Sequence, residues 1–156
     1  MIKFMKSKYF LSILVLISAF TFMSCEDKDN QKPTVSNLEV GHNDTIFAGY
    51  PVHLEFEATD NDLLNNYRVT IHAESDHHKS SVLDAMHWEF DSTFREINGV
   101  KNYTVHHHAI HVPANALTGD YHFHLIVADR SGNTTAVEKD ITLAPAEAYH
   151  GDEHGK

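Results

Sequence analysis

A single cysteine in 156 residues excludes an intrachain disulfide framework and every Cys-rich zinc motif. Lys and Arg number 12 against 22 acidic side chains and lie scattered, so no basic stripe exists to neutralise phosphates. Nucleic acid is therefore excluded as a partner. The chain has no Gly-x-Ser-x-Gly elbow and no Gly-rich phosphate loop, which leaves nucleophilic catalysis and nucleotide binding without support. A blue-copper site lacks its Cys ligand, and Met86 is the only methionine after residue 23, which argues against a thioether Cu(I) carrier. No long segment repeats apolar residues at helical spacing. Histidine, by contrast, is abundant, with 14 copies.

The one long apolar run, Tyr9 to Phe22, covers 14 residues behind Lys3, Lys6 and Lys8. It is short for a bilayer-spanning helix and suits the core of a signal peptide. Phe22-Met23-Ser24-Cys25 resembles the looser cleavage boxes of Bacteroidetes-type lipoproteins, in which the Cys becomes the lipidated first residue. Glu26, Asp27 and Asp29 follow, resembling the acidic export signal of surface-displayed lipoproteins. This resemblance implies an outer-membrane protein lipidated on Cys25 and displayed at the cell surface, with the periplasmic face as the alternative. Removing residues 1–24 takes away three lysines and no acid, leaving 9 basic against 22 acidic groups, a charge of −13.

Residues 25–33 read as the lipidated Cys and an acidic tether, residues 34–143 as one domain, and residues 144–156 as a mobile polar tail. Within the domain, strands are expected at residues 34–40, 51–59, 67–73, 87–94, 103–112, 120–128 and 135–143. Alternation is clearest where Val52, Leu54, Phe56 and Ala58 share one face and His53, Glu55 and Glu57 the other. Residues 103–112 fit two registers, because Tyr103 and Val105 set one inward phase while Ile110 and Val112 set the opposite one; a bulge would reconcile them. A helical turn is expected around residues 80–86, and Trp88 with Phe90 is expected in the core. About seven strands separated by Asp60-Asn61-Asp62, Asn98-Gly99 and Ser131-Gly132-Asn133 point to an all-β, Ig-like antiparallel sandwich. Pro113 to Asn133 resembles the corresponding region of bacterial Ig-like modules. With its His-rich strands, the span 33–143 resembles an uncharacterised family of small Ig-like lipoproteins of Bacteroidetes type, a domain of unknown function. That resemblance implies the fold but no activity.

Up-and-down strands gather alternate turns at opposite poles. Sorted this way, His42, His53, His72, His77, His78, His87, His111, His122, His124, His150 and His154 fall toward one pole, and His106, His107 and His108 near mid-strand. The other pole has no histidine. A strand His-x-His puts two imidazoles on one face, two residues apart, as in His122/His124 and His106/His108. With His72 on the neighbouring strand and His77 and His78 on the adjacent loop, these form the candidate ligand set for zinc or another divalent transition metal. Asp60, Asp62 and Asp129, on loops of the opposite pole, resemble the calcium-binding ends of some Ig-like adhesion domains.

The expected function is a lipid-anchored binding module whose histidine pole captures a transition-metal ion, zinc first, or a metal-containing nutrient. Its partners are then the membrane, the metal, and an outer-membrane transporter or surface protein. The competing expectation is a structural or adhesive module that binds protein or glycan without metal. No enzyme activity is expected, although three imidazoles and a water, with Glu74 or Asp76 as base, would also suit a metal-dependent hydrolase. Copper-zinc superoxide dismutases use His-x-His on a related sandwich, but this chain lacks their disulfide.

Overall fold

A computed structural model describes residues 28–74 and 86–150. Eight strands form: β1 (Thr34–Val40), β2 (Thr45–Phe47), β3 (Pro51–Thr59), β4 (Leu64–Ala73), β5 (Phe90–Phe94), β6 (Asn102–His111), β7 (Gly119–Asp129) and β8 (Thr134–Ala144). They pair into two sheets, one in the order β1-β3-β6 and the other in the order β2-β8-β7-β4-β5. The molecule is thus an Ig-like β-sandwich. Tyr121, entering β7, donates its hydroxyl to the Leu117 carbonyl at 2.7 Å, the back-bonded tyrosine corner of such sandwiches.

Alternation dictates the core. Val52, Leu54, Phe56 and Ala58 from β3 face Tyr67, Val69 and Ile71 from β4 and Tyr121, Phe123, Leu125 and Val127 from β7, and all are buried. Trp88 is buried with them, and Phe90 packs against the cluster. Each large side chain so buried contributes about 1.5–3 kcal/mol before ordering costs. The intervening residues of each strand necessarily face outward.

Three features differ from the sequence expectation. β2 was not expected; its three residues pair in parallel with β8, so the larger sheet is mixed rather than purely antiparallel. The first residues of the expected tail are packed, since Ala146–Ala148 forms a 3-10 turn and the Tyr149 ring lies 5.2 Å from Phe47 and 4.2 Å from Tyr50. The end of the expected tether is docked as well: Pro33 is buried, and Asn133 donates to the Asp29 carbonyl at 3.1 Å. Cys25, the expected helical turn before Met86, His77, His78, Asp76 and His154 lie outside the described residues.

Candidate metal centre

The two registers available to β6 are reconciled by a bulge. Leu54 pairs with His107 and Val52 with Ile110, so His108 and Ala109 together stand opposite His53. Val105 and Ile110 can then both enter the core. On the outer side, the same irregularity gathers His53, His106 and His108. Nδ1 of His53 lies 3.3 Å from Nε2 of His108, and the His53 ring centroid is 5.1 Å from each of the other two. One nitrogen from each of the three rings falls within 4.8 Å of the others. The second nitrogen of His53 points to carboxylates, with Nε2 at 3.8 Å from Glu55 and 3.9 Å from Glu39.

The larger sheet carries a second group on its own outer face. His72 pairs directly with His122 across the β4–β7 ladder. The rings of His72 and His124 stack with centroids 5.1 Å apart, and their Nε2 atoms approach to 3.1 Å. Nδ1 of His124 lies 3.4 Å from Glu138, and Nδ1 of His122 is 2.9 Å from Asp140. His53 and His124 share one arrangement, with one ring nitrogen on the side of a carboxylate and the other facing a neighbouring imidazole, whereas His72 turns its Nδ1 to the Ala73 carbonyl. A carboxylate hydrogen-bonded to one ring nitrogen, as Asp140 is to His122 at 2.9 Å, fixes the orientation of the imidazole.

The expected single constellation is instead two. His106 and His108 belong with His53 on the three-stranded sheet, whereas His72, His122 and His124 lie on the five-stranded sheet. The core separates them, because their strands bury the alternate residues against one another. The histidines share an end of the sandwich but not a face. His42, His87, His111 and His150 are exposed outside both groups. His53 was not singled out as a ligand in the sequence; its outward phase was visible, its partner strand was not.

His107 points inward. The Tyr67 hydroxyl, on a residue with no exposed surface, donates to Glu96 and lies 2.8 Å from His107 Nε2. Burial, reinforced by Glu96, raises the Tyr67 phenol above its ordinary value and keeps it protonated. Burial also draws the His107 imidazole below its usual range; Glu96 opposes the shift, and His108 and His106 add to it.

At the other pole, Asp60 and Asp129 approach each other, while the amide of Asp62 donates to Asp60 Oδ1 at 2.9 Å and its carboxylate stands outside the group. The third member is Asp29, from the entry segment. Asp129 continues the inward phase of Tyr121, Phe123, Leu125 and Val127, a signal present in the sequence. Nothing periodic marks Asp29.

No protein of curated function matches the chain. Among solved structures, the sporulation control protein Spo0M from Bacillus subtilis aligns over 72% of this chain at 10% identity, with a TM-score of 0.39. The chain spans about half of that structure, 49% of its length. Residues 23–144 match the model of one sequence family across both sheets. The chain therefore belongs to the family described as Domain of unknown function (DUF4625).

Proposed function

We propose that the protein is a lipid-anchored Ig-like module of the outer-membrane surface that captures a transition-metal ion, zinc first, on its imidazole faces. The observation that carries this reading is the convergence of His53, His106 and His108. A tetrahedral zinc with bonds of about 2.0–2.1 Å holds neighbouring donor atoms roughly 3.3 Å apart. The His53–His108 nitrogens stand at 3.3 Å, and the His72–His124 nitrogens at 3.1 Å. Three imidazoles leave a fourth position for water or for a ligand of a receiving transporter. The carboxylates of Glu39 and Glu55 lie 3.9 and 3.8 Å behind His53 and add negative charge beside the three rings. Half-exposed rings suit an ion that is loaded and released rather than kept. The lipid anchor rests on the Cys25 box and the acidic residues after it.

Isothermal titration of the full chain with Zn(II) at pH 7.5 tests the reading. Tight zinc heat that His53→Ala with His108→Ala removes is the expected result, with the His122→Ala/His124→Ala variant losing at most a second, separate event. Binding should weaken at pH 5.5, where protons compete for imidazole. Absence of zinc and Cu(II) heat at pH 7.5 would refute metal capture and favour an adhesive module.

A further inference from the structure

The pole without histidines offers chemistry of another kind. Asp29 precedes β1, Asp60 follows β3, and Asp129 ends β7 with 1% of its surface exposed. One carboxylate oxygen from each lies within 4.8 Å of the others. Their hydrogen bonds leave a specific deficit. Asp29 Oδ1 accepts from the Gln31 amide and from Asn61 Nδ2, both at 3.0 Å. Asp60 Oδ1 accepts from the Asp62 amide at 2.9 Å. Asp129 Oδ1 accepts from the Asn133 amide at 2.7 Å, and its Oδ2 from Asn133 Nδ2 at 2.6 Å. The two remaining oxygens, Oδ2 of Asp29 and Oδ2 of Asp60, are closed to solvent and accept no hydrogen bond from the described residues.

Buried carboxylate oxygens without a donor are costly, and three carboxylates at this spacing repel one another. Protein groups relieve them only in part: hydrogen bonds from Gln31 and Asn61, with a smaller contribution from the Lys101 charge, hold the Asp29 carboxyl below its usual range, but no ammonium or guanidinium of the described residues pairs with the cluster. Lys101, the nearest ammonium, donates to the Asn61 carbonyl at 2.6 Å, and Arg130 is engaged with Asn98. Among the described residues, none of the three aspartates forms an ion pair. A bound cation would remove both the repulsion and the two orphaned oxygens. Among the described residues the donors gathered here are all hard oxygens, with no imidazole beside them, which favours calcium over zinc or copper.

We infer that Asp29, Asp60 and Asp129 form a calcium site that clamps the entry segment onto the sandwich. Asp29 is the less anchored half of the clamp. Asp60 and Asp129 sit at the ends of strands that the core already fixes, whereas Asp29 is held by side-chain contacts to Asn61 and Asn133. With calcium bound, residues 29–32 would be fixed to the domain through the ion; without it, only the hydrogen bonds from Asn61 and Asn133 hold them ahead of the buried Pro33. The site sets how the domain stands on its attachment, independently of the imidazole faces.

Calcium titration of the full chain, followed by calorimetry and by the thermal midpoint, tests this. One calcium per chain and a rise of several degrees in Tm are expected. Asp29→Asn should weaken calcium binding at least 10-fold while leaving zinc binding unchanged and, because it removes one of the repelling charges, the calcium-free Tm no lower than that of the wild type. Hydrogen exchange of the peptide covering residues 28–33 should slow on calcium addition in the wild type and not in Asp29→Asn. Asp60→Asn provides a second variant, with the same loss expected. Absence of a calcium response up to ~10 mM, or an undiminished response in both variants, would overturn the assignment. Zinc binding that fails while calcium binding persists would refute the proposed function and leave this site standing.

Discussion

Replacing Tyr67 by Phe removes one oxygen and tests the internal bond between the two sheets. Tyr67 belongs to β4 and His107 to β6, and their contact at 2.8 Å crosses the sandwich. The variant loses two hydrogen bonds, but the costs differ. Glu96 is exposed and can recover water, whereas His107 is only partly exposed and its Nε2 would lose its buried partner. Leaving a buried polar group unsatisfied costs about 1–3 kcal/mol; with one partner rehydrated, the lower half of that range, about 1–2 kcal/mol, applies. For a domain of this size that is a fall of about 4–8 °C in Tm. Urea unfolding of Tyr67→Phe, Glu96→Gln and the double variant, read by far-UV circular dichroism, would measure the loss and the coupling. The inner face of the β6 bulge is held by this contact, so the zinc affinity proposed for His106 and His108 should fall with it. A stability change below about 0.5 kcal/mol, or full additivity of the two substitutions, would refute the reasoning.

Two further outcomes follow from the same geometry. Because burial holds the His107 imidazole below its ordinary value, the unfolded chain takes up that proton first as pH falls. Its contribution is complete above about pH 6.5 and is lost as pH drops from there toward the lowered folded value. In the presence of chelator, His107→Gln should flatten the pH dependence of urea stability across that window; an unchanged slope would rule out this origin. Gly41 holds φ +61° in the turn before β2, and a Cβ there would collide with the Thr45 backbone. Gly41→Ala should therefore cost more than the ~1 kcal/mol of an ordinary Gly position, detectable as a lower urea midpoint; an unchanged midpoint would show that the turn yields.

Strand positions were legible wherever one face is buried, as in β3, where Val52, Leu54, Phe56 and Ala58 mark the bounds without help from neighbours. β2 was not, because three residues between turn formers carry no period and gain their pairing from β8, almost 100 positions away. The same limit governs the sites. Strand direction alone sorts residues between poles, so the separation of histidines from the aspartate loops could be read locally. Which sheet a strand joins depends on long-range pairing, and that decided whether His106 would meet His72 or His53. The conflicting phases of Val105 and Ile110 did encode a bulge, but its place depended on the register against Val52 and Leu54. Asp129 was visible as an acid in an apolar phase; Asp29 became a partner only because the chain before β1 folds back onto Asn133.

The parallel rungs joining Thr45, Ile46 and Phe47 to Thr142, Leu143 and Ala144 have a mechanical consequence. Once β1 has been drawn off β3, a pull between the two ends of the described domain runs along β2 and β8 in opposite senses, so the rungs are loaded in shear and must rupture together. Opening them one at a time, like a zipper, would take far less force. A protein held at one end while fluid drags on the other would resist extension through this short seam.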